Sequence, residues 1–312
     1  MLAVLASFAG VSAGFSSTST NPTSVFQAAP TFGTVVVTGS YIGDGTAGRP
    51  IAGVGFQPDW VVVRTTSTQE AVTRTSTMIG PNSKGFGRSA PAGNRITSLD
   101  ADGFTVGTNS RVNRDGWDYH YVAVQQTSTT VSVGSYVGDG TTSRSVTGLA
   151  HQPEVVVLIP TGTHEPVQRI APDALTRPFR SGGGVANSVV SFDPTGFTVG
   201  DDASSNNSGE TYHYVALTTS AGTIETGGYV GTRTQMSITG VGFQPEWVEV
   251  RGDENRKANQ KMSTLAGNLS VNFDSSSTRN QGIRTLDSDG FTIGRSRAVN
   301  NTGQTYYWLA LG

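Results

Sequence analysis

Three passages of the chain align with one another, and this repetition limits the fold more than any other feature of the sequence. Gly55-Phe56-Gln57-Pro58-Asp59-Trp60-Val61 recurs as Ala150-His151-Gln152-Pro153-Glu154-Val155-Val156 and again as Gly242-Phe243-Gln244-Pro245-Glu246-Trp247-Val248. Upstream, Gly39-Ser40-Tyr41 matches Gly134-Ser135-Tyr136 and Gly227-Gly228-Tyr229. Downstream, Asp102-Gly103-Phe104-Thr105-Val106-Gly107 matches Thr195-Gly196-Phe197-Thr198-Val199-Gly200 and Asp289-Gly290-Phe291-Thr292-Ile293-Gly294. Each copy closes on an aromatic strand: Tyr119-His120-Tyr121, Tyr212-His213-Tyr214 or Tyr306-Tyr307-Trp308. Matching Gly103, Gly196 and Gly290 sets a period of about 93 residues, too long for a solenoid repeat and of the size of a small domain. The expected organisation is a leader at 1–33 and repeats at 34–126, 127–219 and 220–312.

Within one repeat, short β-branched and aromatic runs alternate with turns of the Asp-Gly type, as at Gly43-Asp44-Gly45. Strands are expected over Thr34–Ile42, Trp60–Arg64, Ala71–Ile79, Asn94–Leu99, Phe104–Gly107 and Trp117–Val124. On the last strand, Tyr119, Tyr121 and Ala123 share one face and His120, Val122 and Val124 the other. The fold class is therefore all-β: three tandem antiparallel β-sandwiches, jelly-roll or Ig-like, behind an extended or short helical leader. Gly is abundant, 40 of 312 residues, and only 14% of residues are charged, against roughly 25% in an average domain. Both facts disfavour a helical protein. The centres of the repeats (65–93, 161–187 and 252–280) diverge most, which is where binding or packing specificity is expected.

The net charge is -2 and no basic cluster runs along the chain, so nucleic acid is not an expected partner. No apolar run is long enough for a spanning helix. Cys is absent, which excludes disulfides and thiolate sites, and there are only 4 His.

Residues 1–14, MLAVLASFAGVSAG, have the apolar character of a signal-peptide core, with Val11-Ser12-Ala13 as a cleavage pattern but no basic residues ahead of it. Ala13-Gly14-Phe15-Ser16-Ser17-Thr18, then Phe26-Gln27-Ala28, resembles the mature start of camelysin and TasA-like secreted fibre proteins, with Ser17 where that group has Asp. The repeats, through Gly-Phe-Gln-Pro-Asp-Trp-Val, Asp-Gly-Phe-Thr-Val-Gly and the closing Tyr-x-Tyr-Val-Ala, resemble an uncharacterised domain of phage tail fibres and bacterial surface proteins. The first resemblance implies secretion and polymerisation by a donated N-terminal strand, with Val25, Phe26, Val35, Val36 and Val37 filling a neighbour's groove.

Several residues are weighed for chemistry. Asp100, Asp102, Asp287 and Asp289 offer oxygens to Ca²⁺, against an ordinary Asp-Gly turn. His120 and His213 match, but the third repeat has Tyr307, so packing or interface roles are favoured over catalysis. His164, Glu165 and Asp173 come nearest to an acid–base group, without a nucleophile beside them. Trp60 and Trp247 are either sugar platforms or core anchors, with the core favoured; Trp117 and Trp308 are read the same way. Arg251-Gly252-Asp253 spells an integrin-type tripeptide that also suits a turn, and Asn206, Asn268 and Asn300 open glycosylation sequons. No enzyme is expected and no cofactor is required. Two functions are expected as alternatives. One is a secreted structural subunit of an extracellular filament or surface layer, with itself as partner. The other is an adhesin or phage-type receptor-binding protein that contacts surface glycans through the divergent central loops.

Overall fold

The computed structural model describes residues 35–276 and 278–312. The expected leader, with Val25 and Phe26, lies outside them. Unit 1 comprises β1 (Val36–Ile42), β2 (Arg49–Ala52), β3 (Trp60–Thr65), β4 (Val72–Thr75), β5 (Lys84–Gly85), β6 (Ile96–Asp100), β7 (Gly103–Val106) and β8 (Asp118–Val124). Unit 2 repeats them as β9 (Val131–Val137), β10 (Arg144–Thr147), β11 (Val155–Pro160), β12 (Val167–Ile170), β13 (Arg177–Pro178), β14 (Val189–Asp193), β15 (Gly196–Val199) and β16 (Thr211–Leu217), with α1 (Ala203–Asn206) before the last strand. Unit 3 follows with β17 (Ile224–Val230), β18 (Met236–Thr239), β19 (Trp247–Gly252), β20 (Asn259–Met262), β21 (Val271–Asn272), β22 (Ile283–Asp287), β23 (Gly290–Ile293), α2 (Arg297–Asn300) and β24 (Thr305–Leu311).

All strand pairs are antiparallel. In unit 1 a five-stranded sheet, β1-β8-β3-β4-β5, faces a three-stranded sheet, β2-β7-β6, and units 2 and 3 have the same two orders. The all-β, sandwich-like, threefold-repeated architecture is thus the one the sequence predicts. Two strands per unit, β2 and β5 in unit 1, were not among the expected strands; β5 is only two residues long. The expected strand over Ala71–Ile79 is only Val72–Thr75, after which the chain turns.

The turn chemistry is local. Gly103 leads into β7 at φ +143°, where a side chain would strike the Ile51 carbonyl, so Asp100–Gly103 closes only with glycine there. Asp102 holds the same corner by accepting the Gly53 and Gly55 amides at 3.1 and 2.6 Å, and Asp289 repeats this with Gly240 and Gly242 at 3.0 and 2.7 Å. Asp100 and Asp287 accept the Thr105 and Thr292 hydroxyls at 2.7 and 2.8 Å. These candidate Ca²⁺ ligands therefore hold turns together, and among the described residues no group of three or more His, Asp or Glu is placed to share an ion.

Each five-stranded sheet is buried on both faces, which explains why Trp60-Val61-Val62-Val63 is a continuous apolar run without alternation. One face of β8, with Tyr119, Tyr121 and Ala123, packs on Ile51, Ile96 and Phe104 of the small sheet. The other face, with Val122 and Val124, enters a core shared by all three units, where Trp60 and Trp247 meet edge to face at 6.1 Å. Phe86, Phe179 and Phe273, one from each unit, form a nearly equilateral triangle with centroid separations of 4.7, 4.8 and 4.7 Å. Buried aromatic triads of this kind contribute beyond their area, by roughly 0.5–1.5 kcal/mol per ring pair. Unit contacts close into a ring. β4 lies against β16, β12 against β24, and β20 against β8, so residues 35–312 are one compact body arranged about a pseudo-threefold axis.

The divergent central segments make these junctions. Arg64 of unit 1 donates from Nε to the Asn272 carbonyl at 2.8 Å, and Arg251 of unit 3 donates from Nε to the Pro178 carbonyl at 2.9 Å. In unit 2 the same strand position is Ile159, and Lys84 of unit 1 bonds the Gly162 carbonyl instead at 2.6 Å. Ala71 and Ala258 donate their amides to the Phe273 and Phe179 carbonyls at 2.7 and 2.9 Å, whereas the matching Pro166 has no N–H to give.

Candidate binding clefts at the unit junctions

Most residues weighed for chemistry serve the frame. Trp60 and Trp247 are fully buried, and their indole N–H groups donate to Thr73 at 2.8 Å and Gln260 at 2.9 Å. Trp308 is buried in the local core of unit 3, while Trp117 is half-buried beneath the Arg114 guanidinium. The Arg251 side chain is buried and committed to the carbonyls of Pro178, Gly182, Gly252 and Glu254, so the Arg-Gly-Asp tripeptide is not presented. Asn206 and Asn300 are fully buried; Asn206 Nδ2 donates to Asp139 at 3.0 Å and to the Thr141 carbonyl at 2.9 Å, and only the Asn268 sequon is exposed. Val36 is buried in the shared core, Val35 packs against it and Val37 packs into the local core of unit 1.

His213 and His120 lie at junctions. His213 Nδ1 is 2.8 Å from the Thr77 hydroxyl of unit 1, and His120 Nδ1 is 2.9 Å from Thr264 of unit 3. Burial pushes His213 down to about 4, with the Arg74 charge adding to the shift, and lowers His120 as well. Another junction pair had no sequence signal. Gln168 of unit 2 donates to the fully buried Glu249 of unit 3, and desolvation raises that carboxyl to about 8, so it is a neutral acid at pH 7. Position 249 is Val62 and Val157 in the other units, which is why the pair cannot be seen in the repeat pattern.

A second device recurs just after β4, β12 and β20. Arg74 donates to the carbonyls of Met78 and Gly80 at 3.2 and 2.7 Å, and Arg169 to those of Asp173 and Val190 at 2.9 and 2.7 Å. Lys261 donates to Leu265, Gly267 and Leu269 at 3.1, 2.9 and 2.8 Å. One largely buried cation per unit thus pins the loop that reaches the neighbouring unit.

Among the cavities open to ligands, two are equivalent clefts. Where unit 1 meets unit 2, a cavity of about 560 Å³ is lined by Arg88, His164, Glu165, Gly183, Asp202 and Ser204, among others. Glu165 is held by Arg88 at 3.1 Å, His164 lies 3.7 Å from Glu210, and Asp173 is turned away in a buried pair with Arg177, so the three residues weighed as an acid–base group do not converge. Where unit 2 meets unit 3, the equivalent cavity of about 400 Å³ is lined by Ser181, Arg256, Lys257, Arg279, Ser296 and Arg297. It shares Arg279 and Ser296 with a neighbouring cavity of about 570 Å³ that adds Gln281, Arg284 and Arg295. The same place in the frame thus carries mixed charge at one junction and basic side chains at the next. The sequence showed no basic cluster because these cations are scattered along it and converge only in space.

A family model described as Domain of unknown function (DUF7483) matches residues 32–135 and 219–310, well over half of the chain. The matched stretches cover units 1 and 3 and the start of unit 2; the remainder of unit 2 contains His151, Val155, Ile159 and Pro166, where the repeat pattern breaks. No curated protein matches the chain. Among the described residues no helix is long and apolar enough to cross a membrane.

Proposed function

We propose, from the premise that this chain belongs to the DUF7483 family and from the clefts between its units, that it is an extracellular, non-enzymatic recognition protein that holds glycans at its unit junctions. The carrying observation is the divergence of equivalent cavities on a repeated frame: the lining changes from Arg88, His164 and Glu165 to Ser181, Arg256 and Lys257 while the sheets behind it do not. Cavities lined by hydroxyl, amide and charged groups suit hydroxyl-rich ligands, which are recognised chiefly by hydrogen bonding. A non-enzymatic role is supported by the commitments of the buried ionisable groups, since Glu249 and Arg251 bond across units and Asp173 is paired with Arg177 of its own unit. The extracellular setting rests on the apolar segment at 1–14. The test is a glycan array with the full chain, followed by exchange of the 181–183 and 275–281 loops. Binding lost on exchange supports recognition, and silence across the array rejects it.

A second role, as a subunit of an extracellular filament or surface layer, is favoured by one feature. β1 is an edge strand, paired with β8 on one side and without a strand partner on the other among the described residues, and it follows directly on the segment carrying Val25 and Phe26. An open edge is a template for a strand from another copy. Deleting residues 1–33 and imaging by electron microscopy tests this role; fibres unchanged by the deletion reject it.

A further inference from the structure

Four arginines of unit 3 stand where the other units have no cation. Matching strand and bridge positions set Arg279 against Ala92 and Val185, and Arg284 against Thr97 and Val190. Arg295 follows Gly294, the residue just after β23, where the other units have Thr108 and Asp201. Arg297, whose carbonyl accepts the Tyr306 hydroxyl at 2.8 Å, corresponds to Ser110 and Ala203, which accept Tyr119 and Tyr212 at 2.7 Å. None of the four has a carboxylate within ion-pair distance among the described residues, whereas Arg256 and Lys257 beside them are matched by Glu254 and Asp274. Every unit carries a register shift in the strand after the central segment, and in unit 3 the residue within it is Arg284, which lines the cavity. The Nε of Arg279 is buried without a partner.

We infer that the joined cavities between Arg284 and Arg297 bind an acidic oligosaccharide, whose sulfate, phosphate or carboxylate groups are clamped by these guanidinium groups. Four uncompensated cations on a chain of net charge -2 create a local positive field that overall charge conceals. Guanidinium forks match tetrahedral and planar oxyanions with paired, charge-assisted hydrogen bonds. Volumes of about 570 and 400 Å³ that share Arg279 and Ser296 exceed the needs of one small ion and suit two or more linked sugar rings. Gln235, Asn280, Gln281 and Ser296 supply amide and hydroxyl partners for the sugar hydroxyls. Among the described residues no aromatic side chain lines either cavity, so they build no stacking platform of the kind on which single-stranded nucleic acid is read.

The inference rests on the recognition role proposed above and narrows it to one ligand class. Isothermal titration of the full chain with a heparin octasaccharide, a polygalacturonate oligomer, a teichoic-acid fragment and neutral dextran, each at two salt concentrations, tests it. Expected are saturable binding of at least one acidic probe that weakens with salt, no binding of dextran, and a tenfold or greater loss in the R284Q/R295Q variant with an unchanged circular dichroism spectrum. Both side chains lie at least partly in solvent, and a charge-reversed R284E/R295E variant that abolishes binding supports the same assignment. The order of affinities among the acidic probes identifies which oxyanion the cleft takes. Acidic probes bound equally by the R284Q/R295Q variant overturn the inference, as does tighter binding of a duplex DNA 12-mer. Binding of neutral glycans alone overturns it while leaving the recognition role standing; no binding of any glycan removes both.

Discussion

The Nδ1 of His213 sits 2.8 Å from the hydroxyl of Thr77 across the seam between unit 1 and unit 2, and the seam between unit 3 and unit 1 repeats the contact through Thr264 and His120. A histidine so placed joins two parts of the molecule as a neutral ring, and protonation works against its burial.

Acid sensitivity follows from this seam. The folded-state value of His213, about 4, lies below the ordinary 6.5, so the unfolded chain takes up its proton first as pH falls. The neutral-His contribution is complete above about 6.5 and is lost as pH falls toward 4, by up to roughly 3 kcal/mol for this shift. Because Glu249 opposes it between about 4.5 and 6.5, urea unfolding of a Glu249→Gln background at a series of pH values should show that slope, and adding His213→Gln should flatten it. An unchanged profile in the variant would count against the assignment.

Glu249 has the opposite sign. Its folded-state value, about 8, lies above the ordinary 4.5, so the unfolded chain ionises first and the protonated acid's contribution is lost as pH rises from about 4.5 to 8. The slope is about 1.4 kcal/mol per pH unit in that window. Between about 4.5 and 6.5 it offsets that of His213, so stability should be nearly flat there and decline on either side. Glu249→Gln, neutral at every pH, should be more stable than the parent at pH 8 and should retain the acid limb. A variant no more stable than the parent at pH 8 would mean that Glu249 is not held protonated.

The Phe86, Phe179 and Phe273 triangle predicts that the units unfold together. Phe179→Ala removes one ring from a core that three units share and should cost about 3–5 kcal/mol. Differential scanning calorimetry should give a single transition for both parent and variant, moved down as a whole. Three resolved transitions, or loss of the unit 2 signal alone, would show that the units are energetically separate.

Lys261 tests the loop-pinning device. Replacing it with Met keeps the stem and leaves the Leu265, Gly267 and Leu269 carbonyls without their donor. Charge-assisted bonds of this kind are worth about 1.5–3 kcal/mol, so a loss of that size is expected. Hydrogen exchange should quicken first over residues 263–270 and in β8, on which β20 rests. Exchange that rises evenly over the whole chain would assign Lys261 a general rather than a local role.

How far the sequence reaches is visible residue by residue. The Asp102-Gly103 corner, the Trp60–Val63 run and the two faces of β8 were readable because each depends on neighbours a few positions away. The two-residue β5 was not, since so short a run carries no period. The paired carboxylates of the Asp-Gly turns were ambiguous in one dimension, and their use became evident only with the partner amides of Gly53 and Gly55 in place.

By itself, then, the sequence determined that one β-module is copied three times and where most of its strands and glycine turns fall. Only the tertiary structure decided that its apolar runs are covered on both faces, and by what. The three modules close on one another around Phe86, Phe179 and Phe273, so segments that share no sequence pattern meet at the junctions. The same closure gathers Arg279, Arg284, Arg295 and Arg297 beside the seam of units 2 and 3. Strand formation is a local preference and is written in local patterns. Contacts between modules depend on distant segments meeting, and the divergence of those segments is what hides them from a comparison of the repeats.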